Sequence, residues 1–237
     1  MTVTEKLLRP LLATPATPLI TYYDDALGAR VELSRATTAN WAAKTANWLR
    51  DEWDVEPGAR VAVCLPAHWQ TVGVFLGAWW CGATITDDPA GAEVVFVPPD
   101  HTPGLDPISA PAVAVVALDP LGRGLAAEPT DGTLDYLNEI RAHGDHFDPP
   151  AVSGGVEAFP GSTVDDALAA ARERAEELGI GSADRVLSTQ DWSIPDGVLG
   201  GLLAVLAAGA SLVQCANVDP AALDNRRIAE RITVDLG

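Results

Sequence analysis

Lysine is almost missing from this chain. Lys6 and Lys44 are the two it has, and none follows Lys44. A protein that grips a polyphosphate through lysine has little here to do it with. Cations are scarce overall: 15 Lys and Arg face 33 Asp and Glu, a formal net charge of −18. That balance argues against nucleic acid and anionic membrane surfaces as partners, since both are polyanions. Long apolar runs are absent too. None reaches the ~18 residues of a membrane-spanning helix, and Met1 to Arg9 lacks the apolar stretch of a secretory signal. Cys64, Cys81 and Cys215 are odd in number, without metal-like spacing, and each sits in an apolar segment, so reduced core thiols in a cytoplasmic protein are expected.

What is present is enough for a sizeable core: 237 residues, 48% of them hydrophobic. Thr4 to Leu12 reads as a short helix ended by prolines, and Leu19 to Leu33 as a hairpin turning at Asp24 to Gly28. Ser34 can cap a helix running to Trp53, whose Trp41, Thr45, Trp48, Leu49 and Trp53 fall on one face as packing residues. The run Arg60 to Pro66 suits a strand buried on both faces. His68 to Cys81 follows as a helix stopped by Gly82, and three more strand candidates lie at 83–86, 93–97 and 112–118. A short helix, Leu134 to Arg141, stands between loops rich in Gly, Pro and Asp. Beyond 161 come a helix (164–178), a strand (185–188), a helix (195–208), a strand (210–215), a helix from Pro220, and strand-like residues at 232–235. Strands alternating with helices predict an α/β fold of mainly parallel sheets flanked by helices. The loop at 142–161 divides it into two unequal lobes, residues 1–150 and 151–237.

Three stretches carry a family likeness. Pro57-Gly58-Ala59-Arg60-Val61-Ala62-Val63-Cys64-Leu65-Pro66 and Phe75-Leu76-Gly77-Ala78-Trp79-Trp80-Cys81-Gly82-Ala83 are two of them. The third runs from Asp184-Arg185-Val186-Leu187-Ser188 to Gly200-Gly201 and on to Ala210-Ser211-Leu212-Val213. In that order they resemble the front half of the adenylate-forming enzymes, the acyl-CoA synthetases and luciferases. The chain also resembles short actinobacterial proteins that match only that N-terminal region. The resemblance implies a phosphate-binding loop of hydroxyls, glycines and a lysine. At its place stands Ser153-Gly154-Gly155-Val156-Glu157-Ala158-Phe159-Pro160-Gly161, which keeps Ser153, Gly154 and Gly155 and adds the negative Glu157. Ser162 then reads as a helix cap with Asp165 at the capping-box position, and Asp165 and Asp166 oppose an incoming phosphate. The family's aromatic or His-containing turn corresponds to Asp191-Trp192-Ser193-Ile194-Pro195, which has no His. Its Mg-associated Glu, ribose-binding Asp and catalytic Lys would lie beyond Thr233.

Adenylation by this chain alone is therefore not expected, because the groups that stabilise developing charge are missing. No catalytic residue and no cofactor is expected, whether ATP, AMP or CoA. By analogy with open α/β sheets, a small-molecule crevice would gather Ser153, Gly154, Gly155, Gln190, Asp191, Trp192 and the stretch Gln214 to Asn217 at the carboxyl ends of strands. His143, Asp145, His146 and Asp148 cluster in six residues, but Gly144 and Pro149 make the segment a polar loop, and no metal is expected there. His68 reads as a cap or surface residue, and His101 has no base or nucleophile near it. A Gly-x-Ser-x-Gly elbow is absent, and Gly197 to Gly201 lacks dinucleotide-fingerprint spacing. The leading expectation is a non-catalytic remnant used for binding or protein interaction. Half of a split ligase completed by a partner chain, or a self-associating structural protein, are the alternatives.

Overall fold

In a computed structural model, which describes residues 1–101, 110–129 and 132–237 and of His101 the backbone alone, the chain folds into two five-stranded sheets with helices between and around them. The side chain of His101 thus lies outside the described residues. Helix α1 (Val3–Leu7) starts from a Thr2 capping box with Glu5 and gives way to a 3₁₀ turn over Arg9–Ala13. The single helix expected over 4–12 is broken there because Pro10 has no amide to continue it. The hairpin follows as β1 (Pro18–Asp24) and β2 (Ala29–Ser34). Helix α2 (Arg35–Trp53) begins where expected, with the Ser34 hydroxyl accepting the Thr37 N–H at 3.1 Å, and ends on Asp54 in the left-handed region.

Next come β3 (Arg60–Val63), α3 (Trp69–Cys81), β4 (Thr84–Thr86), β5 (Val94–Val97) and β6 (Ala112–Val115). The stretch expected as one helix from Leu134 opens instead as a short strand, β7 (Leu134–Asp135). The buried Asp135 then caps α4 (Tyr136–Ile140) by accepting the Leu137 and Asn138 amides. The hairpin β8 (Glu157–Phe159) and β9 (Ser162–Thr163) leads into α5 (Val164–Glu177). The final third holds β10 (Arg185–Ser188), a helix made of α6 (Asp196–Val198), a π segment (Leu199–Leu203) and α7 (Ala204–Ala208), then β11 (Ser211–Ala216), α8 (Leu223–Ala229) and β12 (Val234–Asp235). The π segment lies where Gly201 meets the indole of Trp192: a Cβ there would stand 2.9 Å from Trp192 Nε1.

One sheet runs β4-β3-β5-β6-β7, parallel throughout. The other runs β12-β10-β11-β1-β2, parallel except for the β1–β2 hairpin. Sheet membership does not follow the expected division at residue 150. Strand β1 pairs in parallel with β11, Ile20 opposite Leu212 and Tyr23 opposite Cys215, so the hairpin joins the C-terminal strands. Hairpin local signals were legible, but this pairing spans nearly the whole chain.

Helix α3 lies between the sheets and has almost no solvent face: twelve of its thirteen residues are buried. Its approach to α2 depends on glycine. A Cβ at Gly77 would stand 2.5 Å from Thr45 Cβ and 3.0 Å from the Ala42 carbonyl oxygen, and one at Gly73 3.3 Å from Trp41 Cβ. The four-residue spacing puts both on one ridge, which lets the helix backbones close up. On that seam the Cys81 thiol donates to the Ala46 carbonyl at 3.3 Å and Thr45 Oγ1 meets the Tyr136 hydroxyl at 2.7 Å.

The second sheet is tied to α8 by a partly buried charge network. Glu230 receives the Arg30 guanidinium at 2.8 Å, the Tyr23 hydroxyl at 2.5 Å and the Arg185 guanidinium. Arg226 pairs with Asp25 and lies 4.1 Å over the Tyr23 ring. Burial alone would push the Glu230 carboxyl up, but the hydrogen bonds from Arg30, Tyr23 and Arg185 outweigh it and hold it at about 2. A carboxyl held below its ordinary value stabilises the fold above that value. The contribution is lost as pH falls from about 4.5 to about 2. Glu230→Gln should remove that acid-side decline and cost about 1.5–3 kcal/mol at neutral pH, read from urea unfolding at pH 7 and pH 3.

Candidate functional site

The start of α5 is where a phosphate would be expected to lie, and its chemistry is closed from within. A helix N-terminus attracts anions because its first amides have no partner inside the helix. Here all four are engaged. Thr163 N–H donates to Asp166 Oδ2 at 3.2 Å, Val164 N–H to the Val156 carbonyl at 2.8 Å, Asp165 N–H to the Gly154 carbonyl at 3.1 Å and Asp166 N–H to Thr163 Oγ1 at 3.2 Å. The Asp165 carboxylate rests against Gly154, where it occupies the space a Cβ would take. Hydrogen bonds from Thr163 hold the Asp166 carboxyl below its ordinary range, so it is charged at neutral pH. The cap itself is one residue later than the sequence pattern implied. Thr163 and Asp166, not Ser162 and Asp165, form the capping box, because Ser162 is used as a strand residue opposite Phe159.

The remaining expected crevice residues fall in three places. Asp191 and Trp192 line one cleft of about 320 Å³ with Val63, Cys64, Pro66 and Asp87, at the carboxyl end of β3. The Asp191 carboxylate fixes this loop by accepting the amides of Ala67 at 3.2 Å and Trp192 at 2.8 Å. Trp192 is buried, its ring 6.3 Å from Phe75. Gln190 points elsewhere: its amide donates to the Leu236 carbonyl at 2.6 Å, and it lines a separate groove against α5 with Glu173, Arg174 and Asp196. Asn217, in the left-handed region, donates to both oxygens of Asp24 at 3.1 Å. Neither Asn217 nor Ser153, Gly154 or Gly155 lines the Asp191–Trp192 cleft. Asp191 and Trp192 thus share a cleft that the other expected residues do not line.

Cys64 departs from the expected core thiol. It is half-buried on that cleft and donates to the Asp87 carbonyl at 3.3 Å. Burial first, then Asp87 and Asp88, push its thiol up. Cys81 and Cys215 are buried as expected, and burial carries Cys81 to about 12. The His143–Asp148 segment is fastened as a loop: Lys44 reaches the His143 carbonyl at 2.6 Å and Asp145 at 2.7 Å, while His146 meets Asp148 at 3.2 Å. Among the described residues no group of three or more His, Cys, Asp or Glu is placed to hold a metal ion.

Gln214, expected at the crevice, belongs instead to a buried polar row whose other members were not expected. Ser188, Gln214 and Tyr22 stand side by side across β10, β11 and β1, all buried, and His68 packs edge-on against Tyr22 at 4.3 Å. His68 caps α3, as expected, but is 2% exposed rather than a surface residue. Its Nδ1 accepts the Gln70 N–H at 3.1 Å, which puts the proton on Nε2. Burial takes its pKa down to about 3. The one sequence signal was a Gln inside the apolar run Leu212 to Cys215.

No family model matches the chain. It is 47% identical over 238 residues to a protein of Mycobacterium tuberculosis described as a TIGR03089 family protein, covering 98% of this chain and 97% of that one. Among solved structures, a Brucella canis acyl-CoA synthetase superposes with a TM-score of 0.83 at 17% identity, over 99% of this chain and 47% of the synthetase. A benzoate CoA ligase from Burkholderia xenovorans LB400 gives 0.76 at 20% identity, over 99% and 50%. An anthranilate CoA ligase in complex with anthranoyl-AMP gives 0.73 at 17%, over 90% and 44%. The α/β fold is that of the N-terminal domain of these ligases, and the chain spans about half their length.

Two outcomes follow from this geometry. Thr163→Ala, which strips one partner from the closed helix start, should destabilise the fold by about 1 kcal/mol in urea unfolding. Because burial keeps His68 neutral, its imidazole proton resonances should stay in place between pH 5 and 8 in a titration followed by NMR.

Proposed function

This chain belongs to the TIGR03089 family, and on that premise we propose that it is a non-catalytic binding module built on the N-terminal fold of an acyl-CoA synthetase. The observation that supports this reading most is the closed start of α5. Its four amides are partnered within the protein, and Asp165 and Asp166 stand where a phosphate would approach. Each carboxylate opposes a phosphate charge about 4 Å away by roughly 1–4 kcal/mol, depending on how much water remains. No lysine follows Lys44 to offset it, and the chain as a whole carries −18. A bound polyphosphate would have to break the capping box and overcome that field.

The dispersal of the expected crevice residues supports the same reading. Asp191, Gln190 and Asn217 are each committed to a hydrogen bond that holds a loop. What the fold offers instead is a rigid scaffold with clefts on several faces, suited to recognition rather than turnover.

Isothermal calorimetry with ATP–Mg, AMP and CoA in turn tests this directly. No saturable heat is expected from any of them. Binding of AMP or ATP tighter than ~100 µM would overturn the reading and favour half of a split ligase that needs a partner chain.

A further inference from the structure

A cleft of about 480 Å³ lies away from the strand ends, between the N-terminal helical segment, α2 and the 145–149 loop. Its walls are apolar and aromatic: Leu8, Leu12, Ala36, Ala39, Trp80 and Phe147. Trp80 and Phe147 stand 5.8 Å apart with tilted rings, and the Trp80 indole N–H has no hydrogen-bond partner among the described residues. Volume and lining are those of a small-molecule pocket.

Both sides of the pocket are fixed in advance. On one side, Lys44 holds Asp145 and the His143 carbonyl, and Asn47 donates to the carbonyls of Gly144 at 3.0 Å and His146 at 2.8 Å. The Arg50 guanidinium lies 4.7 Å from the outer face of the same Phe147. On the other side, Arg35 donates to the Leu11 carbonyl at 3.3 Å and the Ala36 amide to the Pro15 carbonyl at 3.0 Å. A ligand would not have to order these walls, which favours binding.

The rim decides the ligand's charge. Glu5, Asp145 and Asp148 line the opening with Arg9, and the Lys44 ammonium pairs with Asp145 at 2.7 Å. Three carboxylates to two cations, in a chain of −18, leave an acid excess that repels an organic acid and attracts an organic cation. Aromatic faces add to that preference. We propose that this pocket binds a compact organic cation, a single apolar or aromatic group carrying a protonated amine. The amine would sit among the rim carboxylates and the apolar body against Trp80 and Phe147. The pocket shares no residue with the start of α5, so this holds or fails separately from the reading of that site.

The test compares 2-phenylethylamine, phenylacetate and 2-phenylethanol, which share a ring and differ in charge, by calorimetry and tryptophan fluorescence. The amine should saturate, bind about tenfold more tightly than phenylacetate, and weaken as salt is raised. Asp148 is almost fully exposed, so Asp148→Asn should leave folding intact and weaken the amine about threefold. Ala36→Phe, at a half-buried wall position, should abolish binding while the circular dichroism spectrum stays unchanged. No saturation by the amine up to about 10 mM overturns the proposal. So do equal binding of phenylacetate, and amine binding that both variants leave unchanged.

Discussion

Helix α3 sets the terms for the whole molecule. It is apolar on every side because it has a neighbour on every side: α2 along one ridge, β1 of one sheet, and β3 and β4 of the other. The two sheets make one body because they share this helix, and a single large cluster of buried side chains runs through it. The closeness of α2 is bought with Gly73 and Gly77, where any side chain would meet the Trp41 or Thr45 side chain. Trp48, Phe96 and Tyr136 then meet edge to face beneath the helix pair.

Charge plays a different part in each half of the structure. Around Glu230 it closes the molecule: three elements distant in sequence lend a tyrosine and two arginines to one carboxylate. At the start of α5, carboxylates instead complete the backbone's own hydrogen bonding. Few cations are left over, and the excess acid is spread over the surface. A fold shared with ligases at 17–20% identity is here combined with a net charge of −18.

The parts of the fold written in local chemistry were legible in the sequence. The Ser34 cap and tryptophan period of α2, the Gly82 stop of α3 and the strand Arg185–Ser188 all appear where those residues imply. What depended on distant partners was not. Nothing near Leu19 announces that its strand will lie beside β11, and nothing near Gly154 announces the Asp165 carboxylate over it. The orientation of the expected crevice residues was hidden for a similar reason. Gln190 and Asn217 follow neighbouring strands, yet each is turned by a partner, the Leu236 carbonyl and Asp24, that sequence position does not reveal.

The β1–β11 pairing has a consequence for how the protein is made. Strand β1 leaves the ribosome well before the strand that covers its edge, which ends at Ala216, almost two hundred residues later. At ~5–20 residues per second, that is roughly 10–40 s during which Leu19-Ile20-Thr21-Tyr22 is held by its hairpin alone. A two-stranded hairpin is marginal in water. The nascent chain therefore carries an unsheathed sticky edge throughout that interval, and whatever shields it in the meantime guards against pairing with another chain.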